Sequence, residues 1–198
     1  MDVRGTRRYL RPIDRIELRR AGADDAATVA ALHADSWRRH YRGAYSDAFL
    51  DGDVEADRKV VWSARLAGQD GGTSTILAED NGEPVGFGHV VFDDDPVWGA
   101  LVDNLHVTYR RKRSGIGTRL MAAAAAAVVG RGRGGLYLWV LEQNVAAQAF
   151  YDARGGRPAD RRAVNPPGGV AGRLQGTPHG LRYVWSDPAV LVDGRSGT

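Results

Sequence analysis

The sequence predicts an α/β fold in which helices cover one mixed, mostly antiparallel sheet of about six to seven strands, flanked by about four helices. Three observations predict it. Leu101 to Val107 reads as a strand, and Ile116, Leu120, Met121, Ala124 and Val128 follow at helical spacing after a glycine-bearing turn. The apolar run Leu136–Leu141 comes next, and a strand–helix–strand unit requires a parallel pair with a right-handed crossover. Upstream, Asp80-Asn81-Gly82 joins two strand-like runs in the manner of an antiparallel hairpin.

The remaining elements follow in order. Residues 15–19, Arg-Ile-Glu-Leu-Arg, alternate as a first strand. Asp24 and Asp25 offer N-caps for a first helix. Its stripe Val29, Leu32, His33, Ser36, Trp37, His40 and Tyr41 turns polar and aromatic toward the C-terminal end. Val54, Val61 and Leu66 support a second helix. Residues 73–79 and 84–92 are the hairpin strands, and Gly86 and Gly88 in the second suggest a bulge or a close backbone approach. In the central strand, alternation puts Leu101, Asp103, Leu105 and Val107 on one face and Val102, Asn104 and His106 on the other. The six alanines at 122–127 favour helix. Asn144 is a good N-cap for a helix through Arg154, with Gly155 as its stop. Residues 157–162 and 181–185 read as strands around a Pro- and Gly-rich loop, and residues from 186 onward as a weakly ordered end.

Composition bounds the function. With 198 residues, 43% hydrophobic and 26% charged, the chain reads as one soluble globular domain. There is no cysteine, which excludes disulfides, thiolate catalysis and cysteine-bound zinc. No run suggests a signal peptide or a membrane span, so the expected location is cytoplasmic, with no membrane partner. Net charge is only +3, and all basic residues but Lys59 and Lys112 are arginine, as high-GC coding would give. The arginines are not interleaved with aromatics on one face, so no nucleic-acid partner is expected. Asp93, Asp94 and Asp95 read as a solvated turn, and no metal is expected.

The turn between the central strand and helix carries the chemistry. A strand running into a glycine turn at a helix N-terminus presents free backbone N–H groups and the positive end of the helix dipole to an anion. Arg110, Arg111, Lys112 and Arg113 strengthen that field, so the expected ligand carries phosphate. The Walker loop is absent, because Gly117 is followed by Thr118 and Arg119, and the dinucleotide fingerprint fails at Leu120. What remains is Lys112-Arg113-Ser114-Gly115-Ile116-Gly117. Together with Asn144-Val-Ala-Ala-Gln-Ala-Phe-Tyr151-Asp-Ala-Arg-Gly-Gly156, it resembles the GNAT superfamily of N-acetyltransferases. That family's loop reads Arg/Gln-x-x-Gly-x-Gly/Ala after Val-x-Pro, and its later segment Asn-x-x-Ala-x-x-x-Tyr-x-x-x-Gly-Phe. Lys112 stands at the Arg/Gln position, Tyr109 at the Pro, and Gly156 at the Phe.

The resemblance implies a domain over residues 13–186, between a flexible tail at 1–12 and the weakly ordered end at 187–198. It implies acetyl-CoA as co-substrate. The pyrophosphate would lie on the amides of Arg113, Ser114, Gly115, Ile116, Gly117 and Thr118, beside Lys112. The pantetheine arm would pair with the backbone at Leu105, His106 and Val107 and bond Asn144, which requires the strands at 101–107 and 136–141 to splay apart. Tyr151 aligns with the general acid that protonates the departing thiolate. The implied reaction is direct acetyl transfer to a primary amine of a small molecule or peptide, and the absence of cysteine excludes an acetyl-cysteine intermediate. The first helix and the loop after it would wall the acceptor pocket. Asp103, His106, Glu142, His33, His40, Asp35 and a water relay are all open as the base. A homodimer is an option. The alternatives are a catalytically inactive CoA-binding sensor and, less favoured, an Arg-rich nucleic-acid-binding protein.

Overall fold

The computed structural model describes residues 16–68, 71–132 and 134–192. The chain runs β1 (Ile16–Arg20), α1 (Ala26–His40), α2 (Asp47–Asp51), α3 (Val54–Ala67), β2 (Thr73–Asp80), β3 (Glu83–Asp95) and β4 (Gly99–Val107). It continues with α4 (Ile116–Val129), β5 (Leu136–Leu141), α5 (Val145–Asp152), β6 (Arg157–Ala163), β7 (His179–Trp185) and α6 (Ala189–Val192). The strands form one sheet in the order β1-β2-β3-β4-β5-β7-β6, antiparallel throughout except for the β4–β5 pair. The expected N-terminal tail, and Arg15 of the first strand, lie outside the described residues.

Two layers of helix sandwich the sheet. On one face α1 and α3 bury Val29, Ala30, Trp62 and Leu66 against Leu77 of β2 and Phe87 of β3. On the other, α4 lays Met121, Ala124, Ala125 and Val128 over Val90, Val102, Leu136 and Leu138. The small alanine side chains bring that helix close to the strands. Asp25 precedes α1, but its carboxylate accepts from the Gly22 N–H at 2.8 Å and from Arg19, rather than capping the helix. Asn144 does cap α5, its side chain accepting from the Ala147 N–H at 3.2 Å.

Two local expectations are corrected, and a third is refined. First, β4 does not alternate evenly. His89 pairs with Asn104 but Val90 pairs with Val102, so Asp103 is an extra residue in a β-bulge. Val102, Leu105 and Val107 therefore pack toward α4, whereas Asp103 reaches Arg65 of α3 and His106 reaches Ser36 of α1. Second, the end of the chain, read as weakly ordered from residue 186, holds a defined helix as far as Val192. Asp187 accepts from the Ala189 N–H, α6 follows, and Leu191 is buried in the core under α4. Third, the segment at 163–180 is tied down. Arg173 Nη1 donates to Asp57 Oδ1 at 2.7 Å and the guanidinium lies 4.4 Å from the centre of the Phe49 ring, while Gln175 N–H donates to Ala44 C=O.

Gly156 has a packing reason. A Cβ there would come within 2.5 Å of the Trp185 indole, which fills the space beside Tyr151 from β7. The aromatic weight that the family places at this position comes here from 29 residues downstream. Gly156→Phe, which restores the family residue, should lower stability by about 1–3 kcal/mol through overpacking. Urea denaturation measures it, and an unchanged midpoint would show that Trp185 moves aside at no cost.

Candidate active site

The site begins where the parallel pair stops. β4 and β5 are paired only through Ala100–Leu136 and Leu101–Tyr137. Beyond these, β4 runs on to Val107 and β5 to Leu141 with no partner across the gap, so backbone N–H and C=O groups of both strands face an opening. The bulge at Asp103 supplies the divergence, because an added residue bends and twists its strand. The result is a cleft of about 1040 Å³, lined by α1 from one face of the sheet and by the start of α4 and α5 from the other.

At one end of the cleft lies the basic turn. Arg113 (φ +63°) and Gly115 (φ +81°) both adopt left-handed backbone, a conformation that glycine takes without cost and arginine does not. This turn points the amides that open α4 into the cleft, where no intrahelical carbonyl reaches them. Ser114 Oγ closes the turn by donating to Arg111 C=O at 2.5 Å. Ile116 is buried beneath the turn against Leu120, so only its backbone faces a ligand. The basic run is not uniform, since Arg111 is ion-paired with the buried Asp80. Lys112 sits 5.2 Å over the Tyr109 ring. The donor set is thus backbone N–H at a helix N-terminus with lysine and arginine around it, which fits a pyrophosphate.

All the residues expected to hold a cofactor except Ser114 border this cleft, and the structure separates what each offers. Leu105 and Val107 send their side chains to the α4 layer and present only main chain. His106 also presents main chain, but its ring turns to α1. Asn144 spends its carbonyl oxygen on the α5 cap, which leaves its NH₂ group for the cleft. Thr118 Oγ1 accepts a hydrogen bond from Arg154. Arg154 stacks 3.7 Å over Phe150, lines the cleft, and has a buried Nε without a hydrogen-bond partner. Sequence reasoning gave Arg154 no role. Its signal was the i,i+4 spacing from an aromatic residue on a short helix.

Tyr151 also lines the cleft, buried against Tyr183 and Trp185 at ring distances of 5.6 and 6.0 Å. Burial, with Tyr41 close by, pushes its pKa well up, so the hydroxyl keeps its proton at neutral pH. Burial also pushes Tyr41 up, to about 12. The base candidates separate sharply. Asp103 is held by Arg65 at 2.6 Å and by Asn104 Nδ2 at 2.7 Å. Glu142 takes two 2.9 Å bonds from Arg161, which hold its carboxyl below the usual range. Asp35 is paired with Arg39 at 2.9 Å. His33 is fully buried and accepts from Trp62 Nε1 at 3.0 Å. His40 and His106 line the cleft, and of the two His106 has a hydroxyl partner. Contrary to the alternation read from the sequence, Asp103 and His106 share a face.

Comparison with known proteins decides the family. The profile of the Acetyltransferase (GNAT) family matches residues 34–155. The chain belongs to the GNAT family. The GNAT family uses acetyl-CoA, and this chain is an acyltransferase of that family. A probable N-acetyltransferase from Mycobacterium tuberculosis is 30% identical over 142 residues, covering 70% of this chain and 78% of that protein. Among solved structures, the PaiA N-acetyltransferase of Thermoplasma acidophilum in complex with coenzyme A has a TM-score of 0.68 at 18% identity, covering 86% of this chain and 98% of that one. The ribosomal-protein-S18-alanine N-acetyltransferase of Escherichia coli has a TM-score of 0.58 at 19% identity, covering 85% and 92%. The described residues of this GNAT protein contain no helix long and apolar enough to cross a membrane and no cluster of His, Asp and Glu able to hold a metal ion.

The buried imidazoles make stability depend on pH. Desolvation lowers His106 from 6.5 to about 4 and His89 to about 4, and drives His33 well down. In the unfolded chain all three titrate near 6.5. Below that pH the unfolded state binds protons that the folded state refuses. Stability should therefore be level above about pH 7 and fall by a few kcal/mol between about pH 6.5 and 4. Urea midpoints at about pH 7.5 and about pH 5 check this, with a lower midpoint expected at the acid pH.

Proposed function

We propose that this protein moves the acetyl group of acetyl-CoA directly onto a primary amine of a small molecule or peptide. The observation that carries the reading is the gap between β4 and β5, which opens beside a left-handed turn at the N-terminus of α4. When bound, acetyl-CoA supplies an acyl group activated as a thioester. The amides of residues 113–118 would hold its pyrophosphate, and the unpaired main chain of Leu105–Val107 would hold the amides of its arm. Asn144 NH₂ would add a donor at the mouth. Tyr151, kept protonated by burial, is suited to donate its proton to the departing sulfur. The two substrates would meet in one cleft, with α1 forming the acceptor wall. The E. coli structural neighbour acts on an alanine of a ribosomal protein, which supports a peptide amine as one acceptor class beside a small-molecule amine.

Calorimetry with acetyl-CoA and a thiol-detecting assay with putrescine and an alanine-initiated peptide test the reading together. Binding and CoA release on at least one amine are expected. Tyr151→Phe should keep acetyl-CoA affinity within about twofold and lose about a hundredfold in kcat. Unchanged turnover would remove the assigned acid. Binding without release on either amine would favour the sensor alternative.

A further inference from the structure

The mechanism above leaves one pair in the cleft without a task. Ser36 Oγ, on the third turn of α1, lies 2.7 Å from His106 Nδ1 on β4, and both residues line the cleft. The bulge at Asp103 is what carries the His106 ring to this face. Every carboxylate considered as a base is bound to an arginine, whereas the partner of this imidazole is a neutral hydroxyl. His106 Nε2 is buried with no hydrogen-bond partner.

The surroundings suit an uncharged ring that accepts a proton transiently. From α1, His33 stands with its ring centre 4.9 Å away and His40 lies nearby. From β3, Phe87 packs at 5.2 Å. From β4 itself, Asp103 is the one anion whose charge favours an imidazolium here, and it reaches the ring's side of the sheet only through the bulge. Burial keeps the resting ring neutral through the neutral pH range. The Trp62 N–H on His33 Nδ1 places the proton of that neighbour on Nε2, so His33 does not compete for the Ser36 hydroxyl.

We propose that Ser36 and His106 form the path by which the acceptor amine loses its proton: the Ser36 hydroxyl takes the N–H proton as it passes its own to His106 Nδ1. The proposal rests on the acetyl-transfer reading and deepens it. The acceptor nitrogen, neutral on arrival, forms a bond to the thioester carbon, and the carbon–sulfur bond breaks with its electron pair leaving on sulfur. Sulfur takes the Tyr151 proton. The amine proton ends on His106 and returns through solvent to the tyrosinate, so both residues start the next cycle unchanged. A hydroxyl placed between amine and imidazole exchanges one proton for another and never needs to ionise alone. Ser36 is the group that touches the acceptor, and His106 acts through it. The path requires that resting His106 carry its proton on Nε2 and leave Nδ1 bare.

Imidazole ¹⁵N–¹H correlation spectra of labelled protein, assigned with His106→Gln, read that tautomer without any acceptor. Nε2-protonated His106 is expected, with its Nδ1 signal displaced in Ser36→Ala. In the CoA-release assay with putrescine or the alanine peptide, Ser36→Ala and His106→Ala should each lose about ten- to a hundredfold in kcat, with KM for acetyl-CoA within about twofold. Ser36→Thr should retain most of the rate. Added imidazole should raise the rate of His106→Ala but not that of wild type, a response that a packing role cannot produce. Resting His106 protonated on Nδ1, or Ser36→Ala turning over like wild type, overturns the path and leaves acetyl transfer standing. Wild type that binds acetyl-CoA and acetylates neither amine overturns both.

Discussion

Everything about this site depends on backbone groups that have no partner within the protein. A parallel pair in mid-sheet ordinarily exchanges hydrogen bonds along its whole length. Here β4 and β5 exchange them at one end and then part, and the main chain of both strands is left facing a cleft. Burying such groups unsatisfied would be costly, so the opening must take up either water or a ligand rich in amides and carbonyls. The bulge at Asp103 is where that constraint is built into the chain, and it also places Asp103 and His106 on one face of the sheet.

Much of this was legible in the sequence, and for local reasons. Glycines at 115 and 117, a basic run before them and an apolar helix after them describe a turn whose chemistry lies in the main chain, and main-chain chemistry depends little on distant neighbours. The N-cap at Asn144 and the position of Tyr151 two turns later are local in the same sense. The hairpin at Asn81-Gly82 and the crossover between β4 and β5 followed from turn chemistry and handedness, which a short window carries.

What stayed hidden depended on partners far away in the chain. The bulge in β4 has no glycine or proline to announce it, and only the register against β3 reveals it. One extra residue reversed the faces of Asp103 and of the residues before it relative to His106. The pairing of Glu142 with Arg161, and of Asp103 with Arg65, withdrew two carboxylates that looked available as bases. Gly156 looked like a loss of packing until Trp185 was found occupying the space. The segment after β6 reads as a long loop, and the anchors that hold it, Asp57 and Ala44, lie more than a hundred residues earlier.

That anchored segment bears on α1. Asp57 receives Arg173 and also the neighbouring Arg58, whose guanidinium lies 4.3 Å from the centre of the Trp37 ring. Trp37 in turn contacts Tyr41 and Tyr45, just past the C-terminal end of α1. One carboxylate thus couples the long connection between β6 and β7 to the aromatic cluster beside the cleft. On the acetyl-transfer reading, a change in this clasp would reshape the α1 side of the cleft and leave the turn at the start of α4 intact, because the two sides are held by separate sets of anchors.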